Sequence, residues 1–539
     1  MSDVERLLDS VVADVFPSFQ WRPNQKEAVM EVLTAFLVDN YTKVVLDAPT
    51  GAGKSWIARI IAECLNRVVG QVASTLFLTK TISLQNQYLR DFPSMKKLMG
   101  ASNYSCHTDN PPAILPAHKH HTSCKYSTSD GQCEYNIARS EYKAAPLKTL
   151  NYAFYFTGYP RYAGVDTLIV DECHNLPDFL IDYTKVEFNL NRINEMTPEV
   201  TMTDYFNPIE LNKRGLQFSD LPEIYEFIRD TQSAVQMAFN ELMDSIENMP
   251  EDSKLAKLLS DKLIPLEKDV KYLQGLGGKL LNMASQDKSN LVIDSDENES
   301  LKFSITPIFI PDYAMEILDK STFTLLMSAT PFLMVRELDR CKVRYKRVIM
   351  PYSYPVEHRP FIIQGEMPKI NHSTRQQVIQ EYVEQVDKIL DQATESGLIH
   401  SSSYSYAEDV LKYSRHRNRL YIPRGEELRN IKSVVRPGRV LVSPSLIEGV
   451  DFAGDMAEFQ IILKVPYPAL GDNWIKTKMD VDEGWYDAVT ITNIIQASGR
   501  PIRSAEDVAV TICLDPSFKW LLNRVRNDVP SWFMDSVSQ

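Results

Sequence analysis

The chain has 539 residues, 44% apolar and 24% charged, so it is too long for one ordinary core and too apolar to be disordered throughout. Its formal charge of −13, from 58 Lys and Arg against 71 Asp and Glu, excludes coating of nucleic acid by bulk charge and leaves that task to local basic runs. Seven cysteines, an odd number scattered along a long chain, do not form a disulfide framework.

The opening "MSDVERLLDS" lacks the basic start and apolar core of a signal peptide, and no apolar run is long enough to span a membrane. A cytoplasmic protein without a membrane partner is expected. Next comes "KVVLDAPTG", an apolar strand running into "APTGAGKS" (Ala48 to Ser55), with "SWIARIIAECLNRV" as the following helix. Strand, loop and helix give the G-x-x-x-x-G-K-[ST] pattern its meaning, with Ala48 at the first glycine position. Pro49, Thr50, Gly51, Ala52 and Gly53 let backbone N–H groups curl around phosphate oxygens. Lys54 neutralises charge, and Ser55 can ligate Mg²⁺.

After the strand "TLFLTKT", the stretch Asn103 to Phe154 has almost no apolar periodicity. It gathers Cys106, Cys124 and Cys133, spaced C-x17-C-x8-C, with four of the nine histidines. His121 stands three before Cys124, so "HTSC" mimics C-x-x-C spacing and could place both side chains on one metal. His120, His118 and His107 are alternative fourth ligands. Three thiolates and one imidazole suit tetrahedral Zn²⁺.

The strand in "LIVDECHN" ends at Asp171 and Glu172, an acidic pair of the kind that holds Mg²⁺ and activates water in a P-loop ATPase. Between Val186 and Leu318 the rhythm becomes helical. Ile224, Phe227, Ile228, Val235, Phe239, Leu242 and Ile246 mark one helical face. A second helix is expected near "EDSKLAKLLSDKL", capped by Asp252 or Ser253 and kinked or ended at Pro265. "QDKSNLVIDSDENES" is expected to be an exposed loop.

"TFTLLMSATP" closes the first group of strands. "GLIHSSS", "RVLVSPS", "FQIILKVP" and "VAVTICLD" form a second, so we expect an α/β protein with two parallel sheets. "RCKVRYKR" (Arg340 to Arg347) and Lys412 to Arg439 are basic runs, either surface charge or nucleic-acid contacts. Gln496, Gly499, Arg500 and Arg503 fit Q-x-x-G-R-x-x-R, and such arginines reach a γ-phosphate only when two domains close.

The order "APTGAGKS", "DECH", "SATP", "SLIEGVDFAG" and "QASGRPIR" resembles the XPD/DinG-like DNA helicases of superfamily 2 over nearly the whole chain. In "WRPNQKEAV", Gln25 looks like the family's adenine-contacting glutamine. Thr79, Thr81 and Gln85 in "LTKTISLQNQY" resemble its strand-contacting motif, and "ILKVPYPALGDN" looks like the stretch between its last two motifs. Gly449 and Asp451 are carried over as nucleotide-site residues, and His174 as the coupler of the nucleotide and nucleic-acid sites. Cys173 departs from the family's usual Ala and is expected to be a small buried residue.

The resemblance implies two RecA-like parallel-sheet domains with a metal-cluster insertion and a helical arch. First-domain pieces are expected at 1–95, 143–185 and 319–335, the cluster at 96–142, the arch at 186–318 and the second domain at 336–539. It also implies ATP, Mg²⁺ and a [4Fe-4S] cluster, for which Zn²⁺ is the alternative. The family's cage commonly uses four cysteines, whereas this segment supplies three. The implied activity is ATP-driven 5′→3′ translocation on single-stranded DNA and unwinding of forked or tailed duplex DNA, by a monomer. Lys54, Asp171, Glu172, Gln496, Arg500 and Arg503 would be the catalytic set. A translocase that does not unwind, an RNA helicase and a metal-stabilised binding module with an inactive ATPase remain open alternatives.

Overall fold

The structure, a computed structural model, describes residues 2–70, 73–100, 103–104, 134–158, 164–249, 254–296, 298–364, 366–371, 373–444, 452, 454–526 and 529–538. Strands β1 (Lys43–Asp47), β2 (Thr75–Thr79), β3 (Lys96–Lys97), β4 (Leu147–Asn151) and β5 (Thr167–Asp171) come first. The middle segment adds β6 (Val186–Asn189), β7 (Leu291–Ser295) and β8 (Lys302–Pro307). Then follow β9 (Phe323–Ser328), β10 (Lys346–Ile349), β11 (Phe361–Ile363), β12 (Gly397–His400) and β13 (Leu420–Tyr421). The last are β14 (Val440–Ser443), β15 (Phe459–Ile462), β16 (Val510–Cys513) and β17 (Val537–Ser538).

Among the described residues, one sheet runs β10-β1-β9-β5-β2-β4-β3 and another β13-β14-β12-β15-β16-β11-β17, with every pairing parallel. β1, β2 and β5 are buried at every position, because helices cover both faces and leave no solvent side to alternate toward. The eight apolar runs are all strands in the two expected groups. β4 and β10 were not legible because "LKTLN" and "KRVI" mix polar residues into short runs at or near a sheet edge.

β10 corrects the boundary expected at 335/336. It pairs with β1, from Val44 opposite Lys346 to Asp47 opposite Ile349, so the chain leaves the first sheet only after Ile349. Arg347 on β10 pairs with buried Asp47 at 2.7 Å, and Met350 N–H donates to the Asp47 carbonyl at 2.8 Å. The stretch expected to start the metal segment at 96 also begins within this sheet, as Lys96–Lys97 pairs with β4.

In the middle segment, helices Leu221–Glu247 and Lys254–Ala284 pack on one another. Ile224, Phe227, Ile228 and Val235 are buried there, with Phe239 partly buried. Of the two alternatives expected at Pro265, an end is ruled out, because the second helix continues through it. One expectation is corrected. The expected loop contains β7, which joins β8 and β6 in a three-stranded antiparallel sheet because Leu291 and Ile293 pack into the core of the helix pair. The cap candidates Asp252 and Ser253 lie outside the described residues. No helix among the described residues is long and apolar enough to cross a membrane.

The second sheet's helix Asn473–Val481 docks where the middle segment returns. Trp474 Nε1 donates to the Pro307 carbonyl at 2.8 Å and Asn473 Nδ2 to Asp294 Oδ1 at 2.8 Å. Beside them, buried Lys478 lies 2.8 Å from Asp482, 3.8 Å from Glu337 and 3.9 Å from the Phe309 ring centroid, while Arg336 pairs with Asp482. Three parts of the chain meet on this charge cluster.

Candidate nucleotide site and interdomain cleft

In register, Asp47 on β1 lies opposite Ser328 on β9, and Asp171 on β5 opposite Met327. The P-loop, the acidic pair and "SATP" therefore leave the same end of three adjacent strands, where open parallel sheets bind ligands. Gly51 and Gly53 adopt φ of 77° and 79°, a region that glycine enters without steric cost. A Cβ at Gly53 would stand 2.3 Å from Gln25 Nε2. Gln25 is buried and braced in place: Nε2 donates to the Ala52 carbonyl at 2.8 Å and Oε1 accepts from Arg22 N–H at 2.8 Å. A cavity of about 450 Å³ opens beside it, walled by Phe16, Phe19, Arg22 and Trp56, which suits a planar heterocycle.

Lys54 Nζ lies 3.6 Å from Glu172 Oε1. Burial and the adjacent Glu172 charge push Asp171 up to about 6. Burial would also raise Glu172, but Lys54, His174 and Arg500 outweigh it and hold that carboxyl below its ordinary range. The pair is thus split, with one carboxyl proton-retaining and the other firmly ionised. Tyr88, fully buried, donates its hydroxyl to Asp171 Oδ2 at 3.0 Å and has the Ser55 side chain near enough to act on its phenol. His174 Nδ1 stands 2.8 Å from Ser328 Oγ and 3.3 Å from Glu172 Oε2, so it bridges the acidic pair to "SATP". Cys173 is buried in the core, and burial drives its thiol pKa well up.

The last motif closes the cleft from the second sheet. It begins in the last turn of helix Trp485–Ser498. Gln496 Nε2 donates to Thr330 Oγ1 at 2.8 Å, and a Cβ on Gly499 would meet Thr50 Oγ1 at 2.6 Å. Arg500 is near enough to Glu172 for its charge to be felt there. The Arg503 carbonyl lies 3.1 Å from the Tyr354 hydroxyl, which also donates to the Gly51 carbonyl at 2.6 Å. Behind the motif, Gln460 Nε2 donates to the Ser498 carbonyl at 3.0 Å, while its Oε1 contacts His400 Nε2 at 3.0 Å.

Lys54, Asp171, Glu172, Gln496, Arg500 and Arg503 thus surround one cleft with Gln25 and the P-loop. Gly449 and Asp451 lie outside the described residues, as do Cys106, His121, Cys124 and Cys133. Thr81 caps helix Ile82–Asp91, accepting from Leu84 N–H at 3.3 Å, and Gln85 is fully buried on that helix. Much of the long basic run serves the fold: Arg419 donates to the carbonyls of Leu390, Ala393, Glu395 and Gly438. Arg415 pairs with Asp391, and Arg424 is 2.5 Å from Glu408. Tyr88, Tyr354, Arg22 and Gln460 were missed as site residues. Tyr88 and Arg22 sit inside quoted motif stretches and could have been found there, but nothing local marks Tyr354 or Gln460.

Comparison with known proteins agrees with this geometry. Residues 386–536 match the family described as helicase C-terminal domain, and residues 18–203 the family described as type III restriction enzyme, res subunit. The ATP-dependent DNA helicase YoaA of Haemophilus influenzae is 20% identical over 600 residues, covering 92% of this chain and 91% of that protein. A solved XPD helicase superposes with a TM-score of 0.58 at 18% identity, over 94% of this chain and 98% of that one. Xpd4 of S. tokodaii superposes with a TM-score of 0.55 at 15% identity, over 96% and 99%. Fold and motif order give two parallel sheets with a candidate nucleotide site in the cleft between them. The chain is similar over most of its length to the DNA helicase YoaA and has the fold of the XPD helicases.

Proposed function

We propose that this protein is an ATP-dependent DNA helicase that moves 5′→3′ along single-stranded DNA and separates forked or tailed duplexes, acting as a monomer in the cytoplasm. The carrying observation is the closed cleft: Gln496 bonded to Thr330 and Gly499 seated on Thr50 join the second sheet to both phosphate-side loops of the first. Gly51, Gly53, Lys54 and Ser55 would hold Mg·ATP, and Asp171 would hold the Mg²⁺ that neutralises its phosphates. As phosphates draw Lys54 away from Glu172, that carboxylate loses a stabilising charge and becomes a stronger base for the attacking water. Arg500 and Arg503 offset charge on the transferring phosphoryl group, so hydrolysis loosens the contact between the two sheets and drives relative motion.

Cys106, Cys124 and Cys133, with His121 as fourth ligand, are assigned to a [4Fe-4S] cluster, with Zn²⁺ as the alternative. So polar a segment gains its folding free energy from metal binding rather than burial. Iron and sulfide with broad visible absorbance in anaerobically purified protein support the cluster; colourless zinc protein overturns it.

Strand separation on DNA duplexes with 5′ or 3′ tails, and on their RNA counterparts, tests the main reading. ATP-dependent unwinding of the 5′-tailed DNA, lost in Lys54→Ala, is expected. DNA-stimulated hydrolysis without separation of any duplex would instead make the protein a translocase, and preference for RNA would reassign the substrate.

A further inference from the structure

Tyr354 lies in the connection between the sheets, after β10 and before β11. Its hydroxyl reaches the Gly51 carbonyl at 2.6 Å on the P-loop and the Arg503 carbonyl at 3.1 Å on the last motif. Arg22 Nη1 donates to the same Gly51 carbonyl at 2.5 Å and lies 3.2 Å from the Tyr354 hydroxyl. The Tyr354 ring covers Gly51 so closely that a Cβ there would stand 2.7 Å from it. Tyr354 itself is buried against Ile502 and Ala509.

A trans peptide holds its C=O and N–H antiparallel, so fixing a carbonyl aims the next amide the opposite way. Arg22 and Tyr354 fix the Gly51 carbonyl, and Gln25 fixes the Ala52 carbonyl at 2.8 Å. The amides of Ala52, which donates to the Pro49 carbonyl at 3.3 Å, and Gly53 are thereby directed from the other side of the loop, where such amides cradle phosphate oxygens. Two of the three clamps, Tyr354 and Arg22, also reach the Arg503 carbonyl of the second sheet's motif, at 3.1 Å and 3.5 Å, so the full set of contacts exists only when the cleft is closed.

We propose that Tyr354, with Arg22, is a positioning pair that orders the P-loop amides for phosphate when the two sheets close, so that the interdomain connection itself tunes nucleotide affinity. This rests on the nucleotide-site reading above. Tyr354→Phe keeps the ring packing and removes only the hydroxyl. Its dissociation constant for the fluorescent analogue mant-ADP with Mg²⁺ should rise about five- to tenfold, the loss of roughly one hydrogen bond. The KM for ATP should rise by more than kcat falls, with the melting temperature nearly unchanged. Arg22→Gln should weaken mant-ADP similarly, and the double variant should fall short of the two losses combined, because both groups act on one carbonyl. An unaltered dissociation constant in Tyr354→Phe, with Lys54→Ala no longer binding mant-ADP, overturns the clamp alone. If Lys54→Ala binds mant-ADP as tightly as the parent, the nucleotide-site reading fails with it.

Discussion

Gln496 donates its side-chain amide to Thr330 Oγ1 at 2.8 Å, and both side chains are buried. One residue belongs to the last motif of the second sheet and the other to "SATP" on the first, so a single neutral hydrogen bond spans the cleft. Its partner network extends to His174 through Ser328, whose Oγ accepts from Thr330 N–H at 3.0 Å and contacts His174 Nδ1.

Gln496→Ala should therefore uncouple the sheets. The stranded Thr330 hydroxyl costs about 1–3 kcal/mol, and we expect DNA-stimulated kcat to drop on the order of tenfold. Thr330→Ala should produce a similar drop. A cycle with both variants, measured by steady-state phosphate release, should show a coupling of about 1 kcal/mol.

Gly499 adopts φ −82°, which alanine tolerates, so Gly499→Ala should fold normally. Its methyl would nonetheless lie 2.6 Å from Thr50 Oγ1 and 2.8 Å from Thr50 Cγ2. The last motif must back away from the P-loop, and ATP hydrolysis should fall at least about tenfold, since a shift of about 1 Å at a reacting site can cost a hundredfold. Circular dichroism and hydrolysis measured together separate this from unfolding.

Asp171 holds its proton up to about pH 6 in the folded protein, through burial and the Glu172 charge, and only to about pH 4 when unfolded. Its protonation thus stabilises the fold fully below about pH 4, and that contribution is lost as pH rises through 6. Asp171→Asn mimics the protonated group. Without Mg²⁺ or nucleotide it should exceed the parent in stability at pH 8, by about 1–3 kcal/mol, and lose roughly half of that advantage by pH 5. ATP hydrolysis should be abolished. Thermal melts at the two pH values check the sign.

Lys478→Met should destabilise the protein by about 3 kcal/mol, because buried Glu337 and partly buried Asp482 each lose a cation. Urea unfolding measures this. A second variant, Lys478→Met with Glu337→Gln, should recover part of the loss by removing one of the two carboxylates that lost a cation, Asp482 keeping Arg336.

How much of this was legible in the linear order of residues follows from the range of the forces involved. "APTGAGKS", "DECH" and "SATP" could be placed at strand ends because β1, β5 and β9 are apolar runs whose signal is local, and loop chemistry such as the positive φ of Gly51 and Gly53 is local too. Apolar periodicity likewise marked the helices of the middle segment, but not β7, whose five residues become a strand only by pairing with β8. Tertiary packing alone decided which residues from distant motifs meet. Gln496 and Thr330 are separated by 166 positions, and Tyr354 and Gly51 by 303, and their bonds exist because two sheets close on one cleft. The same packing turned Arg419 and Arg439 of the basic run onto backbone carbonyls. A composition count cannot see that use, since burial is a property of the surroundings and not of the side chain.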